Sequence, residues 1–568
     1  MSDEVKLSAV EIQKEESRQL RGTIAEELSP DVECFTGANA GFLKHHGTYQ
    51  QDDRDGRKKT EGGKSGKQYM MMVRSRIPGG KLTGDDLLAE LDMCDEFGNG
   101  TLRITSRQGL QLHGVLKNDL KATIRAINEK TTLTTLGACG DVNRNVMCCP
   151  APIRNNAAHD QMQDLAQQIA HYFRPHTTAY QEIWLQDDAG EKEKVAEFTP
   201  VDEPIYGTRY LPRKFKIGIA LPEDNCVDIL TYDLGLLAIV ENDQIVGYNV
   251  YVGGGQGKTP ANKKTYAAVA QKVTFVAPDQ AIPMIEAVMS CWRDNGNRED
   301  RKQARIKYLL RDWGLDKFKT EVANYYGSEL PEARPEDVND VDDHMGWHQQ
   351  GDGKWFLGVN VENGRIKDEG DLQLKSALRA VIPGRVPNIR LTAMQSILFC
   401  DVDSANRDEI DRILAEHGVK TADELTLVRR FSMACPALPT CGLSVTESER
   451  ALPGVIDALE VELEKNGLNG ERLAVHMTGC PNGCARPYTP DIGLVGKAKG
   501  KYTLYLGGNT LGSRVGFIYA DLVPMEEIAS RVSPLLGYFK AERTAGESFG
   551  DFCNRKGLED LQAHGQSA

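Results

Sequence analysis

The clearest periodicity in this chain is two residues long. In Leu102-Arg103-Ile104-Thr105-Ser106-Arg107-Gln108, the apolar Leu102 and Ile104 alternate with Arg103, Thr105 and Arg107. Successive strand side chains point to opposite faces, so the polar residues share one side. After Gly109 the alternation resumes, with Leu110 and Leu112 against Gln111 and His113. Pro212-Arg-Lys-Phe-Lys-Ile-Gly-Ile219 repeats the device: Lys214 and Lys216 share a face opposite Phe215, Ile217 and Ile219. A strand is also expected over Tyr69 to Val73. Between these strands, Asp85 to Phe97 sets Leu87, Leu88, Leu91 and Cys94 at helical spacing. Each polar strand face has two readings, a solvated sheet surface or edge, or a surface that holds an anion.

The pattern recurs half a chain later. Ile389-Arg390-Leu391-Thr392-Ala393-Met394-Gln395 repeats the apolar-Arg-apolar-Thr-x-x-Gln order of Leu102 to Gln108, and Tyr502-Thr-Leu-Tyr-Leu-Gly-Gly-Asn509 echoes Tyr248-Asn-Val-Tyr-Val-Gly-Gly-Gly255. Two echoes in the same order point to an internal duplication. Each half is then a small α/β unit followed by a larger one, after a polar lead. Gln51 to Lys67 is rich in charge and glycine and reads as loop. The acidic, proline-bearing stretch Pro331 to Asp343 reads as the junction between the halves.

Length fits several domains: 568 residues are too many for one core. No run of eighteen apolar residues exists, so no membrane span is expected. Met1-Ser-Asp-Glu-Val-Lys6 lacks the pattern of a secretory signal, and the expected location is cytoplasmic. A net charge of −14 argues against nonspecific nucleic-acid binding. Against that background the local basic clusters stand out. Beyond the strand faces, they include Arg144 between Asn143 and Asn145, and the run Arg298 to Lys307. If that run is helical, Arg298, Arg301, Lys302 and Arg305 form one stripe. Arginine matches planar oxyanions bidentately, and lysine offers a point charge and a proton. Gly253-Gly-Gly-Gln-Gly-Lys-Thr259 lacks the spacing of a phosphate-binding loop, and is expected to let backbone approach a flat or anionic cofactor.

The 13 cysteines of a chain without a signal favour reduced thiols and cofactor ligands over disulfides. Cys435-Pro-Ala-Leu-Pro-Thr-Cys441 and Cys480-Pro-Asn-Gly-Cys484 make two close pairs. Four thiolates suit a [4Fe–4S] cluster. A structural zinc is the rival, although its pairs usually enclose two to four residues. Unliganded buried thiols are the third reading. The Cys148-Cys149 pair has no assigned role. No flavin or NADPH module is visible, so electrons would arrive from another protein.

The run Met477-Thr-Gly-Cys-Pro-Asn-Gly-Cys-Ala-Arg-Pro487, with Cys435 and Cys441, resembles the signature of the siroheme/[4Fe–4S] sulfite and nitrite reductases. The resemblance extends through Leu20 to Glu27, His46 to Asp55, Leu211 to Lys216 and Ser548 to Phe552. It implies an α+β fold of duplicated pseudo-twofold architecture. The expected parts are an N-terminal arm (1–65), a ferredoxin-like half-domain (66–140), a siroheme- and substrate-binding module (141–340), a second ferredoxin-like half-domain (341–420) and a cluster- and siroheme-binding module (421–568). By resemblance, Cys435, Cys441, Cys480 and Cys484 hold the cluster, with Cys484 bridging to the siroheme iron. Arg103, Thr105, Arg107, Gln111, His113, Arg305, Gln395 and Asn482 match cofactor-contacting positions. The cofactor's eight carboxylates would give the same-face arginines a purpose. Arg74, Arg144, Lys214 and Lys216 match the substrate pocket. The implied reaction is six-electron reduction of sulfite to sulfide in sulfate assimilation. Nitrite reduction is the alternative, and a zinc-stabilised binding protein is the non-enzymatic one. Nitrite reductases of the family resemble Pro-Arg-Lys-Trp-Asn where Lys216 stands here, so sulfite is favoured. Leu136 to Asp141, Glu203 to Thr208 and Gly346 to Gly353 look closer to ferredoxin-dependent enzymes, whereas Gln50 to Arg54 looks closer to partners of an NADPH flavoprotein. Ferredoxin is favoured as donor.

Overall fold

The computed structural model of this chain describes residues 6–29, 31–57, 66–177, 182–186, 191–197, 203–259 and 262–567. Part of the expected loop Gln51 to Lys67, at 58–65, lies outside them, as do the first five residues of the chain.

Four five-stranded sheets among the described residues come as two matched pairs. The first orders Thr48–Asp52, Tyr69–Ser75, Leu110–Val115, Leu102–Ile104 and Arg365–Ile366, all antiparallel. Its counterpart orders Gly346–Gln349, Trp355–Val359, Ile397–Val402, Asn388–Leu391 and Lys81–Thr83. Each sheet is completed by a short strand from the other half, so the halves are interlocked by exchange. The strand Thr48–Asp52 comes from the polar lead and forms the outer edge of the first sheet.

The other pair also matches strand for strand. One orders Met147–Cys148, Ile217–Ala220, Leu234–Glu241, Gln244–Val252 and Gln271–Val276. The other orders Ser432–Ala434, Val475–Thr478, Ile492–Ala498, Lys501–Leu506 and Phe517–Pro524. In both, the first three strands run parallel and the last two pair antiparallel.

The sequence echo is a structural one. Thr105 N–H donates to Gly109 O at 2.8 Å, and Thr392 N–H donates to Ser396 O at 2.9 Å, closing the same turn. Gln108 and Gln395 both sit at positive φ, 53° and 68°. Gln108 Nε2 donates to Leu391 O at 2.9 Å, and Gln395 Nε2 donates to Ile104 O at 3.4 Å. Each glutamine thus crosses to the equivalent carbonyl of the other half, as a pseudo-twofold axis requires.

Local chemistry explains the elements. The helix Gly84–Glu96 begins with a reciprocal cap, Asp86 N–H donating to Thr83 Oγ1 at 3.0 Å and Thr83 N–H to Asp86 Oδ2 at 2.9 Å. It buries Leu87, Leu91 and Cys94, the expected stripe, while Leu88 is half-buried. The strand at Leu102 ends at Ile104, earlier than the alternation suggests, and Thr105 to Gln108 form the turn described above. Arg107 therefore does not share a strand face with Arg103.

The basic run Arg298 to Lys307 departs from expectation. A single 3-10 turn spans Arg301–Gln303, and the α-helix begins only at Ile306. No arginine stripe forms. Instead Arg298 pairs with Glu11, Arg301 with Asp141 at 2.7 and 3.0 Å, and Arg305 with Asp233 at 2.7 Å. Asp141 also faces Lys14 at 3.5 Å, which ties the N-terminal helix to the first large module. Burial alone would raise the Asp141 carboxyl, but Lys14, Arg301 and Arg213 hold it well below the usual range. Asp141→Ala leaves Lys14 with Glu11 as its carboxylate and takes the carboxylate from the part-exposed Arg301, and a stability loss of about 1–3 kcal/mol is expected in denaturant unfolding. A loss within experimental error would show that this cluster does not hold the arm.

Candidate functional site

The four cysteines converge from the turns that follow two adjacent strands of the second large module. Cys435 follows Ser432–Ala434, and Cys480 follows Val475–Thr478. Gly479 N–H donates to Cys435 Sγ at 3.4 Å, and Asn482 Nδ2 donates to Cys480 Sγ at 3.5 Å. Cys435 and Cys480 are buried, Cys441 is half-buried and Cys484 is exposed. Burial, then repulsion from Cys484, raises the thiols of Cys435, Cys441 and Cys480, that of Cys480 to about 12. Such a group ionises only around a strongly cationic centre.

Spacing separates the two metal readings. The first pair, Cys435 and Cys441, encloses five residues and the second, Cys480 and Cys484, three, whereas structural zinc pairs usually enclose two to four. Four thiols in two such pairs suit an iron–sulfur cube better than one zinc ion.

The first half lies directly over this loop. Ser106 Oγ donates to Cys484 O at 3.0 Å, and Arg486 Nη1 donates to Ser106 O at 3.1 Å. The glycine loop at Gly253 packs on the same segment: Lys258 N–H donates to Pro481 O at 2.9 Å, and a Cβ at Gly257 would stand 3.3 Å from Asn482 O. Its glycines thus admit the cysteine loop itself. At Gly483, φ is 65° and a Cβ would meet Gln256 Cβ at 2.9 Å, so this position also needs glycine.

Beside Cys484 stands a shelf of cations. Lys214 and Lys216 precede the strand Ile217–Ala220, which lies inside its sheet. The edge-strand reading of the lysine pair is therefore set aside. Both lysines are half-buried between fully buried Phe215 and Ile217. Among the described residues, neither ammonium has a hydrogen-bond or carboxylate partner. Burial, then Arg213, Arg144 and Arg305, holds Lys214 well below the ordinary lysine range, with the Cys484 thiol opposing. Burial, then Lys214, Arg107, Arg305 and Arg144, does the same to Lys216. Tyr232 lies among them, with the Arg107 guanidinium 4.6 Å and Lys216 Nζ 5.7 Å from its ring centre.

Arg74 and Arg144 meet through residues the sequence did not single out. Arg74 Nη1 lies 2.6 Å from Cys139 Sγ and its guanidinium 5.8 Å from the Tyr49 ring centre. Burial opposes the charge on Arg144, but Tyr49, Cys139 and Asp141 raise its pKa above the ordinary value. With its amide turned to suit, Gln111 Oε1 accepts from Arg74 Nε at 3.1 Å.

The remaining expected residues divide into two groups. Some are committed to protein partners. Arg103 donates to Glu449 at 2.7 Å and to Ala434 O at 2.8 Å, and Gln395 Oε1 accepts from Ala434 N–H at 3.2 Å. Thr105 Oγ1 accepts from Arg107 N–H at 3.2 Å and Gly109 N–H at 3.1 Å. Arg305 gives Nε to Asp233. Others have polar atoms that are buried without partners: both ring nitrogens of His113, and Nε and Nη1 of Arg107; the same holds for both amide atoms of Asn143 and Gln256, which are not among the expected site residues. His113 is 1% exposed, so a solvated sheet face does not explain it. Burial, then Arg365, Arg103 and Arg74, holds its imidazole neutral. Buried polar groups are ordinarily satisfied, and this set fits a large polyanionic cofactor between the halves.

Fold and site together define an iron–sulfur oxidoreductase on a duplicated α+β frame. The family model for the nitrite/sulfite reductase ferredoxin-like half domain matches residues 63–130 and 348–417, and that for the nitrite and sulphite reductase 4Fe-4S domain matches residues 139–330. The chain is 42% identical to the sulfite reductase (ferredoxin) of Synechococcus elongatus over 99% of this chain and 91% of that one. It is 43% identical to the sulfite reductase (NADPH) hemoprotein beta-component of Geobacillus thermodenitrificans over 97% and 96% of the two chains. The solved NirA protein of Mycobacterium tuberculosis shares the fold, with a TM-score of 0.77 at 23% identity over 99% of this chain and 98% of that one. The chain belongs to the nitrite and sulfite reductase family. Its cofactors are siroheme and a [4Fe–4S] cluster. No helix among the described residues is long and apolar enough to cross a membrane.

Proposed function

We propose that this enzyme reduces sulfite to sulfide in sulfate assimilation, consuming six electrons from a separate donor protein: SO3(2−) + 6 e− + 7 H+ → HS− + 3 H2O. The observation that carries this reading is Lys216, a second ammonium beside Lys214 with no carboxylate to neutralise it. A dianion gains more than a monoanion from two adjacent cations. Siroheme and the cluster would relay the donor's electrons and supply a metal that holds the substrate. Cys435, Cys441, Cys480 and Cys484 would hold the cluster in this reading, and the exposed Cys484 would be the thiolate through which it meets the siroheme. Arg107, His113, Arg305 and Asn482 would hold the siroheme periphery, and Arg103, Thr105, Gln111 and Gln395 would keep that wall in register. Arg74, Arg144, Lys214 and Lys216 bind the oxyanion and draw charge from its S–O bonds, and the two lysines deliver protons.

Ferredoxin is the proposed donor. The two relatives above bear names of both donor classes at equal similarity, so turnover with reduced ferredoxin against an NADPH flavoprotein decides it. The substrate reading is tested by kcat/KM for sulfite and nitrite with one reduced donor. A clear preference for nitrite would overturn it.

The lysines also set a pH dependence. They act while protonated, so activity is present below their pKa and lost as pH rises through it. Their pKa values are lowered from 10.5. The alkaline fall of kcat/KM is therefore expected at a lower pH than an ordinary lysine gives, and Lys214→Arg should move it upward. An unchanged profile in that variant would remove Lys214 from the reaction.

A further inference from the structure

The cluster module has a topological twin, and strand register shows what the twin carries at the same positions. Gly218 pairs with Met147 on one side and Gly235 on the other, while His476 pairs with Met433 and Gly493. Met147 thus corresponds to Met433, and the loop from Gly218 to Gly235 to the equally long loop from His476 to Gly493. Cys149 falls at the place of Cys435. Cys149 N–H donates to Ile219 O at 3.3 Å, as Cys435 N–H donates to Met477 O at 3.2 Å. Cys226 falls at the place of Cys484. The first half has therefore kept two of the four thiols, and Pro222 stands where Cys480 would be.

Around these thiols the site has closed up. Cys149, Asp224, Cys226 and His344 are all buried, and their ligand atoms lie within 4.8 Å of one another. Asp224 Oδ2 is 2.7 Å from Cys149 Sγ, 3.5 Å from Cys226 Sγ and 3.1 Å from His344 Nε2. The other His344 nitrogen lies 3.8 Å from Asp342 Oδ2, while His344 N–H donates to Asp342 Oδ1 at 2.9 Å. The main-chain bond to Asp342 fixes the backbone at His344 and leaves a carboxylate beside the second ring nitrogen, where the second layer of a metal site usually stands.

We propose that Cys149, Asp224, Cys226 and His344 bind a single zinc-type divalent cation, at the pseudo-twofold counterpart of the iron–sulfur site. Two thiolates with an imidazole select a borderline-soft cation over magnesium or calcium, and four ligands suit tetrahedral zinc. The spread of the ligand atoms, all within 4.8 Å of one another, matches one ion. The metal would be structural. It joins the end of the Arg144 segment, the loop at Asp224 and the junction at His344, which leads from one half into the other. This site is independent of which anion the enzyme reduces.

The test is metal analysis of the iron-loaded holoenzyme from zinc-supplemented medium. The expected result is zinc near one per chain in addition to cofactor iron, with a zinc-edge X-ray absorption shell of two sulfurs at about 2.3 Å and two nitrogen or oxygen atoms at about 2.0 Å. Cys226→Ser and His344→Gln should lose the zinc while keeping the siroheme absorption. The wild-type spectrum stands even if those variants fail to fold. Trace zinc only, a zinc shell without sulfur, or a Cys149–Cys226 disulfide in the active holoenzyme would each overturn the site.

Discussion

Cys484→Ser is expected to yield protein that has lost the cluster's iron and acid-labile sulfide, together with the coupled tetrapyrrole signal. The reason is position. Cys484 is the one exposed member of the four thiols, and Lys214 is close enough to feel its charge. It therefore stands between the buried thiols and the cationic shelf. A serine oxygen is a harder and less acidic ligand than a thiolate, and iron–sulfur clusters are held by soft sulfur. The fold should survive, because the neighbouring backbone is pinned by Ser106 and Arg486 through main-chain oxygens. Circular dichroism and iron analysis on the same sample separate the two effects. Full cluster content in Cys484→Ser would contradict its place as ligand and bridge.

The second large effect is expected at Lys216→Asn. Removing one charge-assisted contact is worth about 1.5–3 kcal/mol, which is roughly a 10- to 150-fold loss in kcat/KM for sulfite. Nitrite, with a single charge, should lose less, so the ratio of the two specificity constants is the readout. Cluster and siroheme spectra should be unchanged, since Lys216 makes no hydrogen bond to the cysteine loop among the described residues. Equal losses for both anions would remove Lys216 as the selecting group.

Much of this was legible in the sequence because it follows from short-range pattern. The apolar-Arg-apolar-Thr-x-x-Gln repeat encodes one turn with a glutamine at positive φ, so its recurrence reported a real duplication. The two cysteine pairs were visible because each bridges a single loop. The strand exchange was not legible, since Lys81–Thr83 and Arg365–Ile366 are too short to carry a period. Arg298, Arg301, Lys302 and Arg305 fitted helical spacing, yet three of them are drawn to separate carboxylates at Glu11, Asp141 and Asp233. Spacing records which residues could align, and only the fold records where their counter-charges lie. Tyr49, Asn143 and Gln256 lie in stretches the sequence marks, yet nothing in those patterns singles out their own side chains, and only the fold shows that it buries them. The group at Cys149, Asp224, Cys226 and His344 is spread over nearly two hundred positions. Only Cys149 drew notice beforehand, and without its partners it carried no chemistry.

The reading of this protein turns on a cationic shelf of the first half working on an oxyanion over thiol-held iron of the second. The most direct test is anaerobic oxidation of a reduced one-electron donor by limiting sulfite. The expected result is six donor equivalents consumed and one sulfide released per sulfite. Donor oxidation that nitrite supports and sulfite does not, or sulfite consumption without sulfide, would contradict it.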